Sequence, residues 1–179
     1  MTRTALDAEN PWFDPEDIAA LRRKLPIPYI DVIPVRVDET GVISEVGLLL
    51  RASGEGCIVR SIVSGRVLLH ETLREAIIRH VEKDLGPMAL PMLPACPTPF
   101  TVAEYFPTPM VGQLHDPRQH AISMVYIVPM KGDCAPQQDA LDLTWYTVEE
   151  IITGNVLDEA EHGHDVLVRR ALAHCGLFG

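Results

Sequence analysis

The sequence predicts one domain of the α+β or α/β class, and two patterns support this fold class. Several short segments alternate β-branched residues with others, which is typical of strands, whereas residues 72–85 repeat apolar side chains every four positions, which is typical of a buried helical face. The order along the chain is strands, helix, strands, helix. At 179 residues the chain has the length of one domain. We therefore expect a sheet covered by helices.

The first elements are a short helix and a group of strands. The helix is predicted at residues 14–25, because Asp14 can cap its N-terminus and Pro15 suits its first position. Ahead of it, Trp12 and Phe13 are expected to pack on the domain or on a second subunit. Three strands follow, the first two as a hairpin: residues 29–37, 43–51 and 57–63.

The central helix is predicted at residues 72–85 and is ended by Gly86 and Pro87. Its buried stripe consists of Leu73, Ile77, Val81 and Leu85. The remaining elements are three strands, a helical turn and a closing helix, at residues 100–106, 121–129, 141–146, 148–152 and 161–174. The proline-rich loop 87–99 is long enough to act as a lid or a subunit contact, and a second loop is predicted at 107–119.

Composition limits the classes of function. Hydrophobic residues make up 47% of the chain, which is typical of a globular protein, and no apolar run reaches the length of a membrane span. The first residues are polar and acidic where a signal peptide needs an apolar core, so we expect a cytoplasmic protein. A net charge of −10 argues against a basic surface for polymeric DNA or RNA. It permits a small phosphorylated ligand, because a bound metal can neutralise both partners.

The segment 65–86 carries the most specific motif. Its spaced residues are Gly65, Glu71, Arg79, Val81, Asp84 and Gly86. This frame resembles the Nudix box, a loop and helix that present carboxylates to a divalent metal. The later segments SMVYIVP, LDLTWYTVEEI and HDVLVRRALA are also similar to the family, so the resemblance covers residues 29–172. It implies an α/β/α sandwich with a mixed sheet between helices, formed by residues 29–179, with residues 1–28 as an N-terminal arm and short helix.

The resemblance implies hydrolysis of a phosphoanhydride in a nucleoside diphosphate linked to another group, with Mg²⁺ or Mn²⁺ as cofactor. The box is degenerate, however, because His80 and Lys83 stand where the family has glutamates. Asp84 is the remaining acid of the metal-binding face. If the protein is active, the candidate catalytic acids are Asp84, Glu75 and Glu71.

Each altered position allows two interpretations. His80 and Asp84 are four residues apart on a helix and could bind a transition metal, or could form an ordinary surface hydrogen bond. Lys83 would repel a divalent metal, but it could contact a ligand phosphate directly. Gly65 can bring its carbonyl close to a metal. The resemblance gives Glu71 and Arg79 a bracing role, and the candidate ligand-binding residues are Gly65, Arg79, His80 and Lys83.

Two functional hypotheses follow. The first is a metal-dependent hydrolase weakened by the loss of box glutamates, and the second is a catalytically inactive ligand-binding or regulatory protein with the same fold. A homodimer is implied by the resemblance, and substrate specificity is assigned to the loops 87–99 and 107–119. His115, Asp116 and His120 could bind metal or belong to a solvated loop, and no chemistry is expected of His162 and His164.

Overall fold

The computed structural model describes residues 14–53, 56–111, 113–137 and 140–177. Trp12 and Phe13 lie outside the described residues. The helices are α1 (Pro15–Arg22), α2 (Leu73–Leu85), α3 (Val148–Thr153) and α4 (His164–His174), with a 3₁₀ turn at Val156–Glu159. The strands are β1 (Ile27–Val37), β2 (Ile43–Ala52), β3 (Ile58–Ser61), β4 (Val63–Arg66), β5 (Ala89–Pro91), β6 (Thr101–Phe106), β7 (Leu114–His115), β8 (Ala121–Gly132) and β9 (Ala140–Thr147).

The strands form a mixed sheet whose main order is β3-β2-β1-β8-β6-β7. β1 and β2 form the predicted antiparallel hairpin, with Val35 opposite Val46. β1 also runs parallel to β8, from Ile27 beside Ala121 onward. Three strands lie off this order: β4 pairs with β1, β5 with β8 and β9 with β2. The sheet therefore combines local hairpin pairing with long-range parallel pairing.

Helices cover both faces of this sheet. α2 packs on one face, where its side chains Ile77, Val81 and Leu85 are fully buried with residues of β1, β4 and β8. α4 packs on the other face through Leu167, Val168, Ala171 and Leu172. This arrangement confirms the predicted α/β/α sandwich with a mixed sheet. Burial of each large apolar side chain contributes about 1.5–3 kcal/mol, so the α2 stripe is a major source of stability.

Side-chain caps define the N-terminal ends of two helices. The Thr72 hydroxyl accepts a hydrogen bond from the backbone N–H of Glu75, and the Glu75 carboxylate accepts one from the N–H of Thr72. Thr147 and Glu150 form the same reciprocal cap on α3. These caps satisfy backbone donors that a helix start leaves unpaired. None of the helices in the described part of the chain is long and apolar enough to cross a membrane.

The structure corrects several predicted element boundaries. The strand predicted at 57–63 is interrupted at Ile62, because β3 pairs with β2 whereas β4 pairs with β1. Gly65, predicted to start the box loop, lies in β4 opposite Ile30. The predicted loops 87–99 and 107–119 contain the short strands β5 and β7. The single strand at 57–63 and the two loops without strands were predicted from local patterns, which do not reveal pairing with distant strands.

Candidate ligand-binding site

An open cavity of about 880 Å³ lies beside α2. It receives side chains from β2, β4, α2, the segment before β8 and the start of α4. Five cationic and two acidic side chains line it: Arg22, Arg51, Arg66, Lys83 and Arg118, with Asp116 and Glu161. The whole chain has a net charge of −10, so this excess of cations is local. Such a concentration of positive charge attracts an anionic ligand.

The N-terminal part of the box forms a brace. Arg79 donates to both carboxylate oxygens of Glu71, at 2.6 and 2.7 Å, and also to the carbonyl of Arg66. The second Glu71 oxygen accepts from the N–H of Leu68. Burial raises the pKa of Glu71, but the hydrogen bonds from Arg79 and Leu68 outweigh it and leave the pKa below its usual range. Glu71 and Arg79 thus fix the segment between β4 and α2, as the resemblance implied.

His80 packs against Gly65 and is almost fully buried. A Cβ atom on Gly65 would overlap the imidazole ring, so only glycine fits at this position. The ring nitrogen Nε2 donates to the carbonyl of Arg66 at 3.0 Å. Burial lowers the pKa of His80, which favours the neutral ring. Its Nδ1 has no hydrogen-bond partner among the described residues.

Asp84 is completely buried and lies between two cations. Its Oδ2 is 2.7 Å from Nη2 of Arg51, and its Oδ1 accepts from Nζ of Lys83 at 3.2 Å. The short Arg51 contact is an ion pair whose angles do not meet hydrogen-bond geometry. Both residues are buried, and each has another partner: His80 bonds to the carbonyl of Arg66, and Asp84 is paired with Arg51 and Lys83. The acid of the box face is therefore already neutralised by protein cations. A transition metal at His80 and Asp84 stays a prediction.

The residues at this helix do not fit a divalent metal. Asp84 is held by Arg51 and Lys83, Glu71 is held by Arg79, and Glu75 caps α2 from an exposed position. Throughout the described ranges, no three His, Cys, Asp or Glu side chains converge with the spacing of a metal site. A Mg²⁺ or Mn²⁺ ion requires several oxygen ligands directed at one point. The carboxylates of Glu71, Glu75 and Asp84 and the imidazole of His80 each contact a different partner instead.

A second buried carboxylate, Asp31, lies beneath the cavity on β1. It accepts hydrogen bonds from the Ser64 hydroxyl at 2.6 Å and from the Tyr105 hydroxyl at 2.8 Å. Burial raises the pKa of Asp31, and these hydroxyls partly oppose that effect. Ser64 and Tyr105 line the cavity. Asp31 therefore fixes two hydroxyl groups at the cavity wall.

The opposite wall is organised by Asp116. Arg118 donates to both of its carboxylate oxygens, at 2.8 and 3.0 Å, and Gln119 donates to one of them at 3.0 Å. Gln119 in turn accepts from Nε of Arg22 at 2.8 Å, which links α1 to this wall. Among the described residues, His115, Asp116 and His120 do not converge as a metal site, because His115 contacts the carbonyl of Pro107 and His120 stacks on Phe106.

His162 and His164, from which no chemistry was expected, also line the cavity. His164 is almost fully buried and accepts from the N–H of Ile62 through Nδ1 at 3.4 Å. Burial, followed by the charges of His162, Arg51 and Arg118, lowers the pKa of His164 to about 3. The ring is therefore neutral at pH 7. It lies within electrostatic reach of cations from both walls.

Several of these residues were missed from the sequence, although two carried a local signal. Arg51 ends the apolar run of β2, and Asp31 interrupts the apolar run of β1. A charged residue inside a buried strand needs a partner, so both positions indicate a polar network. Arg118 and His164 offered no comparable signal, because they follow loops without a recognisable motif.

Comparison with known proteins places this fold and site in a family. A sequence model described as a domain of unknown function (DUF4916) matches residues 8–177. The chain belongs to the DUF4916 family. Among solved structures, this DUF4916 protein is similar to a candidate asymmetric diadenosine tetraphosphate (Ap4A) hydrolase from Jonesia denitrificans. The two are 55% identical with a TM-score of 0.83, over 87% of this chain and 98% of that chain. No curated protein sequence matches the chain.

Two more distant structures show the same fold. The Nudix domain of Shewanella oneidensis NrtR, in complex with ADP-ribose, is 14% identical, with a TM-score of 0.59 over 96% of this chain and 98% of that chain. A bifunctional NMN adenylyltransferase/ADP-ribose pyrophosphatase from Francisella tularensis, with AMP and a manganese ion, is 18% identical, with a TM-score of 0.63 over 90% of this chain and 45% of that chain. The DUF4916 chain thus has the Nudix fold, which confirms the predicted resemblance.

Proposed function

We propose that this protein binds a small phosphorylated ligand, a nucleoside diphosphate linked to another group, in the cavity beside α2. The observation that carries this proposal is the local excess of cations: Arg51, Lys83 and Arg118 face the cavity of an otherwise acidic chain. Phosphate groups are recognised mainly by such charges, and arginine suits their geometry. The volume of about 880 Å³ is large enough for a ligand of this class.

The likeness to known proteins supports the ligand class. The related Jonesia protein is named for a dinucleoside tetraphosphate, and the Shewanella domain binds ADP-ribose on the same fold. Both ligands contain two nucleoside or sugar groups joined by phosphates. The cavity of this chain has cations for the phosphates, and hydroxyl and imidazole groups from Ser64, Tyr105 and His164 for polar atoms of the remainder.

Calorimetric titration with ADP-ribose, Ap4A and adenosine tests this proposal. We expect heat of binding for the first two and none for adenosine, which lacks phosphate. Arg118→Lys should weaken the binding, because an ammonium cannot keep both bonds to Asp116 and offer a planar donor to the ligand. Arg74→Lys, an exposed position on α2 away from the cavity lining, is the matched control. Absence of binding at millimolar concentration for both phosphorylated compounds would refute the proposal.

Hydrolysis is the second candidate function, and the 55% identical Jonesia protein is the observation that favours it. Asymmetric cleavage of Ap4A would release ATP and AMP, which chromatography separates. Turnover with Mg²⁺ or Mn²⁺ that disappears in Asp84→Ala would establish the hydrolase and exclude a role limited to binding. The catalytic roles of Asp84, Glu75 and Glu71 belong to this second candidate alone.

Three further properties stay predictions. The protein is expected to be a homodimer, to be cytoplasmic, and to consist of an arm at 1–28 and a domain at 29–179. Light scattering on the purified chain measures the first of these. The loops 87–99 and 107–119 stay the proposed determinants of specificity, and exchange of either loop with that of the Jonesia protein should transfer ligand preference.

A further inference from the structure

We propose that Arg51 and Lys83 hold the diphosphate of the ligand directly, so that binding needs no divalent metal. This inference deepens the ligand-binding function proposed above and rests on it. Arg51 lies outside the box, at the end of β2, and reaches the box face from the neighbouring strand. The two cations would then replace the metal ion that the box of an active Nudix enzyme uses.

The sign of the local charge supports this replacement. Glutamates at positions 80 and 83 with an acid at 84 would give the helix face three negative charges. In this chain Arg51, Lys83 and Asp84 together carry one positive charge, and burial favours the neutral form of His80. The Coulomb energy between this face and a ligand changes sign with the charge of the face. A face with a net positive charge therefore repels a divalent cation and attracts a phosphate.

The two cations are more exposed than the carboxylate that pairs with them, as direct contact with a ligand requires. Asp84 has no exposed surface, whereas the side chains of Arg51 and Lys83 are 17% and 31% exposed. Both cations line the cavity and Asp84 does not. A ligand entering the cavity therefore meets the two cations first. The carboxylate behind them helps to fix their positions.

The guanidinium of Arg51 is positioned before any ligand arrives. Its Nε donates to the Ser61 hydroxyl at 3.0 Å, and its Nη2 lies 2.7 Å from Asp84. These contacts use two of its three nitrogens and fix the plane of the group. A side chain that is already ordered loses little entropy on binding, which increases affinity. Lys83 keeps further Nζ protons beyond the one directed at Asp84.

Titration of the full chain with pyrophosphate, in EDTA and in Mg²⁺, tests the inference. We expect binding in EDTA, with Mg²⁺ leaving the affinity unchanged or lowering it because Mg²⁺ also binds pyrophosphate. Binding that requires Mg²⁺ would overturn the inference and leave the proposed ligand-binding function intact. If neither pyrophosphate nor ADP-ribose binds under either condition, both proposals fail.

Variants locate the site. Arg51→Gln and Lys83→Gln should each weaken pyrophosphate binding by about tenfold to a hundredfold, the range expected for a charged hydrogen bond. Arg60→Gln is the matched control, because Arg60 is also 17% exposed and ion-paired, to Glu159, but does not line the cavity. Equal weakening by Arg60→Gln would show a general charge effect and overturn the assignment.

Loss of folding could imitate loss of binding, so a paired variant is included. Arg51→Gln combined with Asp84→Asn removes one charge of each sign and leaves no unpaired buried carboxylate. We expect this double variant to keep a cooperative thermal transition and to bind pyrophosphate about tenfold or more weakly than Asp84→Asn alone. Equal affinity of the folded double variant and of Asp84→Asn would refute the role of Arg51.

Discussion

The two halves of the segment 65–86 differ in how their charged side chains are paired. In the N-terminal half, Glu71 and Arg79 form a two-point ion pair, and Thr72 with Glu75 caps α2. In the C-terminal half, the acid Asp84 is buried under Arg51 and Lys83. The first half contains the interactions that shape the segment, whereas in the second half two cations line the cavity and the carboxylate lies buried behind them.

One segment can therefore contain residues that stabilise the fold and other residues that contact a ligand, and the two sets lie on different faces of α2. The apolar stripe of α2 faces the core, and its replacement would cost stability whatever the ligand is. The cavity-facing residues contribute less to burial, so their charge can change while the helix remains in place. A motif match therefore predicts the fold more securely than the reaction.

The largest expected effect is a loss of stability on substitution in the apolar stripe of α2, which leaves the cavity-lining residues unchanged. Ile77→Ala removes a fully buried side chain from the α2 stripe and should lower the free energy of unfolding by about 2–5 kcal/mol. Ile152→Ala on α3, where the side chain is 37% exposed, is the control and should change stability far less. Denaturant unfolding measures both. A small effect of Ile77→Ala would contradict the anchoring role of α2.

The next prediction tests whether Asp84 acts as a counterion to Arg51 and Lys83 or as a ligand-holding group. Asp84→Asn should lower the free energy of unfolding by about 3 kcal/mol, because it leaves Arg51 and Lys83 without their buried counterion. Pyrophosphate binding should persist, since removal of a negative charge next to the site offsets the weaker positioning of Arg51. Calorimetry and denaturant unfolding on one preparation provide both values, with Asp142→Asn, at an exposed position of β9, as control.

The opposite affinity result would change the interpretation of Asp84. If Asp84→Asn abolishes ligand binding while the protein remains folded, the carboxylate takes part in holding the ligand. Asp84 would then have a role in ligand binding and not only in holding Arg51 and Lys83.

A smaller effect concerns the brace and depends on pH. Glu71→Gln should lower the free energy of unfolding by about 1–2 kcal/mol at neutral pH, because Arg79 loses a charged partner. The pKa of Glu71 is lowered in the folded state from an ordinary value of 4.5, so its contribution is present above that pH. The contribution is lost as pH falls through the lowered pKa. Denaturant unfolding at pH 7 and pH 3 should show the two proteins converging at acidic pH.

Much of the fold was predictable from local patterns. Four-residue spacing of apolar side chains and the stop at Gly86 define α2, and alternation defines the β1–β2 hairpin. The interruption at Ile62 was not predictable, because it depends on β4 pairing with β1, which is distant in sequence. Local periodicity determines element type, whereas strand partners depend on tertiary contacts.

The candidate site was predictable only in part. His80 and Lys83 were singled out from the sequence, and both side chains line the cavity. The ion pair between Arg51 and Asp84 was not visible, because it joins a strand end to a helix through space. Ion pairs between distant elements leave no spacing pattern, so a sequence reveals the unpaired charge but not its partner.

The smallest predicted effect is the coupling energy between Gly65 and His80, which are in contact. Gly65→Ala should destabilise the protein by about 1–3 kcal/mol, because the added methyl group overlaps the His80 ring. In a His80→Ala background the same change should cost much less, which gives a coupling energy of about 1 kcal/mol or more. The exposed Glu82→Ala background is the control and should give additive effects. Additivity between positions 65 and 80 would mean that the ring moves away freely. A measurable coupling would show that the His80 ring takes part in the packing of α2 against β4.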